Sequence, residues 1–356
     1  MLKILYVVTG LGLGGAEKVV CDLADQMSNL GHSVIIAYLT GEILVRPNNL
    51  NIDIVFLGLN GSSQLYKSSK KYKKIIKDFQ PDIVHAHMIH ANIFARINRI
   101  GCAIPKLICT AHNSNEGGRL RMLAYRLTNF LSDFNSNVSQ EATESLISKG
   151  AFNQNNLTTV YIGIDLSKFK SFKTEKKNDE IIILSVGRFN EQKDYPNLFK
   201  AIKILKDNNL IEKVKFYIAG DGELRLQLEK TIEDFGISNN IVLLGKRSDI
   251  PKLLNQADYF VLSSKHEGLP TVVIEAMACE TFVVATDCGG SAEILGETGI
   301  LVPIENSEAL AMGLDRAMSF TDDQIRNNGK LARERVEKLF SLEASVNKWL
   351  AIYEAE

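Results

Sequence analysis

Short apolar runs alternate with amphipathic stretches along almost the whole chain. The runs have the length of buried strands, and the stretches between them carry apolar residues at helical spacing. Such alternation is typical of α/β folds with parallel sheets. The pattern predicts helices at 15–30, 65–79 and 140–149. Strands are predicted near 2–8, 33–39, 52–57, 82–86, 106–110, 134–138, 157–162, 181–186, 214–219, 240–244, 258–262, 282–286 and 299–302.

The stretch 166–179 interrupts this alternation. It is polar and rich in lysine, with only isolated apolar residues, which indicates a linker. We therefore predict an N-terminal domain over 1–165, a C-terminal domain over 180–340, and a helix over 341–356 that packs back toward the N-terminal domain. The simplest architecture that fits this pattern has two doubly wound, Rossmann-like domains that face each other across a central cleft. Ligands of such sheets bind beyond the carboxyl ends of the strands.

Composition excludes several classes of protein. With 45% hydrophobic and 23% charged residues, the chain is typical of a globular protein. No apolar run approaches the roughly 18–20 residues of a membrane span, and the first residues lack the features of a signal peptide. Five scattered cysteines without a C-x-x-C pair fit a reducing cytoplasm. Residues 1–165 hold 16 Lys and Arg against 12 Asp and Glu, and this basic half hints at an anionic surface or ligand.

The first predicted strand is followed by a glycine loop, G-L-G-L-G-G over residues 10–15. Its G-x-G-x-x-G spacing matches the fingerprint of a dinucleotide site, in which glycines allow a tight turn and the helix start faces a phosphate. Such a site needs an acidic residue about 20 residues further on. That position falls in an apolar stretch, and Glu42 lies later than expected. Because this acidic partner is displaced, a nicotinamide-dependent oxidoreductase is only an alternative interpretation of the glycine loop.

Two carboxylates mark the second half of the chain. Glu267 ends a loop after a buried strand, Pro270 suits the first position of a helix, and Glu275 falls in the opening turns of that helix. Carboxylates accept hydrogen bonds from sugar hydroxyls, while a helix start favours phosphate. The stretch therefore predicts a site for a ligand that carries both sugar and phosphate.

These motifs resemble glycosyltransferase family 4, whose members are retaining enzymes with the GT-B architecture of two Rossmann-like domains. The resemblance rests on S-x-x-E-G-L-P-x-x-x-x-E-A-M-A and D-C-G-G-S-A-E-I, and it extends over nearly the whole chain. It includes the motifs GLGLGGAEK at 10–18, TAHNS at 110–114, SVGRFNEQKD at 185–194, IAGDGELRLQLE at 218–229 and LLGKRSDIPKLLNQADYFVLSS at 243–264. The chain departs from the family's Asn-Gly-Ile-Asp at Ile162, which leaves the hydrogen bonding of that loop open.

The resemblance implies a role for each matching residue. Glu275 should bind the nucleotide ribose, and Glu267 should hold hydroxyls of the donor sugar. Arg188 and Lys193 should bind the diphosphate and neutralise its charge as it leaves, and His112 should contact the donor sugar. Two backbone segments should approach the phosphates: Gly14 and Gly15 in the first loop, and Gly268, Leu269, Pro270 and Thr271 at the second helix start.

The resemblance further implies a same-face substitution without a metal ion, in which a phosphate oxygen of the donor helps to remove the acceptor proton. Glu267 is then a positioning residue, whereas double displacement would need a nucleophilic carboxylate. We expect a UDP-sugar, a UDP-hexose or UDP-N-acetylhexosamine, as donor and no cofactor. A non-catalytic sugar-nucleotide-binding protein is a further alternative.

Two groups of residues suggest metal ligands, and we expect neither to hold a metal. Asp221 and Glu223 form D-G-E, which fits a turn that opens a helix. His85, His87 and His90 are close in sequence, but we take the two strand histidines to point to opposite faces of the sheet. We expect His85 or His87 to line the acceptor side instead.

Two basic segments suggest how an acceptor is reached. Residues 64–79 form a lysine-rich amphipathic helix, which is typical either of a helix on anionic lipid or of a surface helix packed on its own sheet. Residues 118–134 add three arginines beside a broad apolar face. We expect a cytoplasmic enzyme, peripheral on the inner face of the plasma membrane, that transfers sugar to an undecaprenyl-diphosphate-linked saccharide during cell-surface polysaccharide synthesis. We expect no nucleic-acid partner.

Overall fold

The chain forms two compact units. The computed structural model describes residues 1–12, 14–114, 117–172 and 179–355. Unit 1 comprises Met1–Gly163 together with Ser341–Glu356, and unit 2 comprises Ile164–Phe340. Part of the linker predicted over 166–179 lies outside the described residues.

Unit 1 contains a seven-stranded parallel sheet with the strand order β3-β2-β1-β4-β5-β6-β7. Its strands are β1 Lys3–Val8, β2 Ser33–Tyr38, β3 Asp53–Phe56, β4 Ile83–His87, β5 Lys106–Ala111, β6 Phe134–Asn137 and β7 Thr158–Thr159. The crossover helices are α1 Gly15–Asn29, α2 Leu65–Phe79, α3 Ile89–Arg99, α4 Arg119–Thr128 and α5 Gln140–Ser148. Ile4 to Val8 of the central strand are fully buried, because helices cover both faces of a parallel sheet.

Unit 2 repeats this plan with six parallel strands in the order β10-β9-β8-β11-β12-β13. Its strands are β8 Ile181–Val186, β9 Val214–Ala219, β10 Ile241–Gly245, β11 Tyr259–Leu262, β12 Phe282–Thr286 and β13 Ile300–Val302. The helices are α6 Tyr195–Asp207, α7 Arg225–Asp234, α8 Ile250–Gln256, α9 Thr271–Ala278, α10 Ser291–Leu295, α11 Ser307–Met318 and α12 Asp322–Leu339. In each unit the strand order reverses once, between β1 and β4 and between β8 and β11, and the carboxyl ends of these strands are where α/β folds bind ligands.

The predicted fold class, two Rossmann-like units with parallel sheets, is confirmed. The largest difference is the strand predicted over 157–162, of which only Thr158–Thr159 pair with β6. The chain leaves the sheet there because it passes into unit 2 after Gly163.

Within the described residues, no helix is both long enough and apolar enough to cross a bilayer.

The last helix, α13 Leu342–Glu354, belongs to unit 1. Ser341 caps its start by accepting a hydrogen bond from the amide of Ala344 at 3.1 Å. Its buried face, which includes Trp349 and Tyr353, joins the core formed by β1 and α1. Gly163 permits the chain to pass close to this start, since a Cβ there would overlap the backbone carbonyl of Ser341.

Replacing Trp349 by Ala should destabilise the protein by about 3–5 kcal/mol, because Trp349 is only 3% exposed and its removal leaves a cavity. The measurement is the urea midpoint of unfolding followed by circular dichroism. Lys348→Ala changes the exposed neighbour on the same helix and should shift the midpoint little. Equal shifts for the two variants would show that α13 is not part of the core of unit 1.

Candidate functional site

Lys193 and Glu267 form an ion pair in unit 2, with 2.6 Å between Nζ and Oε1. Lys193 lies in the loop after β8, and Glu267 lies in the loop after β11. The two strands are neighbours in the sheet, so their carboxyl ends bring these loops together. The side chains are 17% and 10% exposed, respectively, which makes this a largely buried pair that still reaches the surface.

Further hydrogen bonds hold the Glu267 carboxylate and its loop. Ser264 Oγ donates to Oε1 at 2.8 Å, and Gln192 Nε2 approaches Oε2 at 3.4 Å. The backbone amide of Lys265 donates to the carbonyl of Gln192 at 2.9 Å. The two loops therefore form one connected unit, in which both oxygens of the carboxylate have a donor.

Glycines allow a third loop, after β12, to pack against this pair. Gly289 has a φ of +52°, and a Cβ there would overlap the carbonyls of Glu267 and Gly268. The amide of Gly290 donates to the carbonyl of Gly268 at 2.8 Å. The sequence motif D-C-G-G contained these glycines, but sequence reasoning gave them no role, and it missed Ser264 and Gln192 altogether.

The other predicted residues of unit 2 lie around these loops. Arg188 follows β8 by two residues and is exposed. Gly268 and Leu269 are buried immediately before α9. Pro270 occupies the cap position, not the first helical position as predicted, and α9 begins at Thr271. Because proline has no amide hydrogen, Pro270 cannot contribute to the backbone phosphate cradle that was predicted over these residues.

Glu275 lies in the second turn of α9 and is partly buried. Burial and then the negative charge of Glu275 raise the pKa of the neighbouring Cys279 to about 12. The pKa of Cys288 is raised to about 11, mainly by burial and then by the negative charge of Glu267. All five cysteines are free thiols, and these two are buried and protonated at neutral pH.

In unit 1, His112 follows β5 directly and meets His87 at the end of β4. His87 Nδ1 and His112 Nε2 are 3.0 Å apart, so one ring donates to the other. Burial lowers the pKa of His112 to about 4 and the pKa of His87 well below its ordinary value. Both rings are therefore neutral at pH 7.

The prediction that His85 and His87 point to opposite faces of the sheet is wrong. Residues two apart on a strand share a face, and these two rings lie 4.0 Å apart between centroids. His85 is saturated by Tyr353 Oη of α13 and by Thr110 Oγ1, both at 2.7 Å. His85 is thus a structural residue of the core of unit 1.

The glycine loop of unit 1 is only partly open. Gly14 caps α1, and a Cβ on it would collide with the carboxylate of Glu17. Gly15 has no neighbour within 4 Å of such a Cβ. The middle of the loop, Leu13, lies outside the described residues. The carboxylate of Glu17 therefore lies against Gly14, one of the two glycines that the resemblance assigns to the approach of a phosphate.

No group of three or more His, Cys, Asp or Glu side chains in the described ranges is arranged to hold a metal ion. Asp221 of the D-G-E stretch accepts a hydrogen bond from the amide of Gly222 at 3.0 Å and lies 3.6 Å from Arg225. This arrangement is the turn that precedes α7.

Comparison with known proteins decides the family. Residues 13–168 match the model described as "Glycosyltransferase Family 4", and residues 167–333 match "Glycosyl transferases group 1". The chain belongs to glycosyltransferase family 4. Membership replaces the oxidoreductase interpretation of the glycine loop.

Two relatives of this glycosyltransferase have assigned activities. It is 28% identical to the GalNAc-alpha-(1->4)-GalNAc-alpha-(1->3)-diNAcBac-PP-undecaprenol alpha-1,4-N-acetyl-D-galactosaminyltransferase of Campylobacter jejuni, over 99% of this chain and 98% of that protein. It is 27% identical to the UDP-Gal:alpha-D-GlcNAc-diphosphoundecaprenol alpha-1,3-galactosyltransferase of Escherichia coli, over 81% and 79%. Among solved structures, Anabaena Alr3699/HepE in complex with UDP shares the GT-B fold, with a TM-score of 0.84, 19% identity and 99% coverage of both chains.

The low pKa of His112 makes stability depend on pH. The unfolded chain takes up a proton on this histidine below about pH 6.5, whereas the folded glycosyltransferase does so only near pH 4. We expect the wild type to lose about 1–2 kcal/mol more stability than His112→Asn between pH 7 and pH 5. Urea unfolding at both pH values measures the difference. His266→Asn, at an exposed histidine, should keep the slope of the wild type, and a His112→Asn slope equal to the wild type would contradict the burial of a neutral ring.

Proposed function

We propose that this glycosyltransferase is a retaining, metal-independent hexosyltransferase that uses a UDP-sugar and acts on an undecaprenyl-diphosphate-linked saccharide. The observation that carries the proposal is the Lys193–Glu267 pair at the carboxyl edge of the unit 2 sheet. It places a cation and a carboxylate together where α/β folds bind nucleotides. The activities of the two relatives support the lipid-linked acceptor, and the UDP-sugar donor of the second relative supports the choice of donor.

Lys193 and Arg188 would stabilise the departing diphosphate. Transfer of a sugar to an alcohol develops negative charge on the leaving group, and fixed cations at that point lower the barrier without a divalent ion. Lys193 is held in place by Glu267, so little reorganisation is needed for its ammonium group to meet a phosphate. Arg188 is exposed and can approach the same anion from the solvent side.

Glu267 is better suited to hold a sugar than to attack it. Its Oε1 accepts from Lys193 and Ser264, and its Oε2 is approached by Gln192. A carboxylate with these donors is a weak nucleophile, because attack would cost the hydrogen bonds that stabilise its charge. This favours a same-face substitution over a covalent glycosyl-enzyme. Glu275 would hold the ribose, and His112, as a neutral ring, would offer a hydrogen bond to the donor sugar.

The two basic segments differ in what they offer to a membrane. The apolar face of α2 is used inside unit 1, where Tyr72 and Ile76 are buried against the sheet. Its lysines face outward and can provide only electrostatic attraction. The apolar face of α2 therefore fits the second interpretation of this segment, a surface helix packed on its own sheet.

Helix α4 has apolar residues on both sides. Met122 and Tyr125 are buried in the core. Three others, at helical spacing on the outer side, are exposed; they are Leu120, Leu123 and Leu127, with 83%, 49% and 62% of their surface accessible. Phe130, in the turn that follows α4, is 76% exposed. Contiguous exposed apolar side chains mark an interaction surface. With arginines beside them, they suit insertion into an anionic bilayer at its inner face.

Lys193→Met should weaken UDP binding by about tenfold or more, since a charge-assisted contact to phosphate is worth roughly 1.5–3 kcal/mol. Lys200→Met, at an exposed lysine of α6, serves as the matched control. Titration calorimetry with UDP, and with NADH as the negative ligand, measures the effect. UDP binding that is unchanged in Lys193→Met would remove Lys193 from the site.

The mechanism is tested with the same protein once a donor is found. We expect the product to keep the anomeric configuration of the donor by NMR, activity to survive addition of EDTA, and no covalent sugar on Glu267 after trapping. Glu267→Gln should retain some activity, and Glu267→Ala less. A glycosyl-Glu267 adduct in mass spectrometry would establish double displacement instead.

Leu120→Ser combined with Leu127→Ser should reduce binding to phosphatidylglycerol vesicles by about a hundredfold or more, because each side chain loses roughly 1.5–3 kcal/mol of apolar transfer free energy and every 1.4 kcal/mol is a factor of about ten. Leu226→Ser, at a leucine of unit 2 that is 80% exposed, is the control. Vesicle sedimentation measures both. If the control and the α4 variant lose binding equally, α4 is not the contact.

A further inference from the structure

The ammonium group of Lys193 has two anions to serve. In the structure it pairs with Glu267 at 2.6 Å, and in the proposed function it stabilises a diphosphate. An ammonium group carries more than one N–H donor, so it can contact both anions. A phosphate nevertheless draws positive charge away from the carboxylate, and a largely buried carboxylate that loses its cation is strongly destabilised. Donor binding therefore requires a group that holds Glu267 while Lys193 is shared.

Ser264 is placed to supply this support. Its Oγ donates to Glu267 Oε1 at 2.8 Å, and the same oxygen accepts from Lys193. Ser264 is fully buried, so water does not compete for its hydroxyl. A hydroxyl that donates to a carboxylate forms a charge-assisted hydrogen bond, which does not depend on where Lys193 lies. The oxygen therefore keeps a buried donor whichever way the ammonium group turns.

The sheet of unit 2 fixes the backbone of Ser264. Strands β11 and β12 are parallel neighbours, and Thr286 is the last residue of β12. Thr286 is fully buried, and its Oγ1 donates to the carbonyl of Ser264 at 2.6 Å. The serine hydroxyl is thus held by a strand end and does not rely on the loop alone.

The backbone of Lys193 is fixed as well, whereas its side chain has room. Ser263 Oγ donates to the carbonyl of Lys193 at 2.9 Å, and the amide of Lys193 donates to Asn190 Oδ1 at 3.2 Å. The side-chain stem of Lys193 lies over Gly187, where a Cβ would come within 3.0 Å of Cδ and Cε. Sharing the ammonium group with a phosphate therefore requires rotation of the side chain only.

We propose that Ser264 is a positioning residue for the transfer reaction, which holds the Glu267 carboxylate while Lys193 is shared with the diphosphate of the donor. The assignment rests on the proposed function, because it requires Lys193 to bind that diphosphate. Ser264 acts through Glu267 and does not touch the donor. Without its hydroxyl, the carboxylate would retain Lys193 more strongly, and the phosphate would gain less from the same cation.

Titration calorimetry of the full chain with UDP tests this role. Ser264→Ala should weaken UDP binding by about fivefold, because a hydrogen bond to a charged group is lost. Glu267→Gln should have the opposite sign and bind UDP at least as tightly as the wild type, because Lys193 is released. A serine with a merely structural role would not give opposite signs at the two ends of one hydrogen bond. UDP binding that Ser264→Ala leaves unchanged or strengthens would overturn the proposal.

Thr281→Val is the matched control. It removes another buried hydroxyl of unit 2, which donates to the carbonyl of Leu254 at 2.9 Å. Its UDP affinity should change by less than about twofold, since a single buried hydroxyl elsewhere affects stability rather than the site. Circular dichroism establishes that each variant is folded. A loss of UDP binding in Thr281→Val equal to that in Ser264→Ala would show a general effect of destabilisation and overturn the proposal.

A double-mutant cycle separates positioning from general support of the loop. In the Lys193→Met background, Ser264→Ala should change UDP affinity by less than about twofold, because no ammonium group is left to share. Losses that simply add would show that Ser264 acts independently of Lys193. Ser264→Cys, which keeps a weak S–H donor, should recover part of the lost affinity. It also replaces Ser264→Ala in the cycle if that variant does not fold.

The same titrations keep the two proposals apart. If Lys193→Met binds UDP as the wild type does, the proposed donor site fails, and the role of Ser264 fails with it. If Lys193→Met weakens UDP binding while Ser264→Ala does not, the role of Ser264 alone is refuted and the donor site stands.

Discussion

Parallel strand pairing is the constraint on which both units depend. A parallel pair requires a crossover connection, so helices cover both faces of the sheet and every strand ends at the same edge. Residues far apart in sequence therefore meet at that edge. Lys193 and Glu267 are 74 residues apart and in contact because β8 and β11 are neighbours. His87 and His112 meet because β4 and β5 are neighbours.

The sequence was sufficient for most of the elements and for the position of Lys193 and Glu267 in loops after buried strands, but not for the contacts between them. Strand and helix positions follow from hydrophobic period, which is a local property. The bonds from Ser264 and Gln192 to Glu267 depend on tertiary packing, and nothing in their spacing announced them. For His85 and His87 the sequence did contain the answer, since alternate strand residues share a face, and the error lay in applying that rule.

Amphipathic pattern alone did not distinguish the two basic segments. In α2 and α4 apolar and basic residues both recur at helical spacing, and each pattern suits a membrane or a core equally well. The structure separates them because the exposed apolar residues of α2, Leu65 and Tyr66, lie only at its first two positions, whereas α4 exposes leucines along its length, from Leu120 to Leu127. A helix buries one stripe in its own domain, and only a second stripe is left for another surface.

The position of α13 bears on how the polypeptide is made. Unit 1 is synthesised first, yet Val346, Trp349 and Tyr353 of its core are translated only after all of unit 2. While the ribosome adds the intervening residues, the apolar surface under α13 and His85, which bonds to Tyr353, lack their partners. The nascent chain thus carries an incomplete first unit, a state in which exposed apolar surface favours aggregation and engages chaperones. Unit 1 begins first on the ribosome and is completed last.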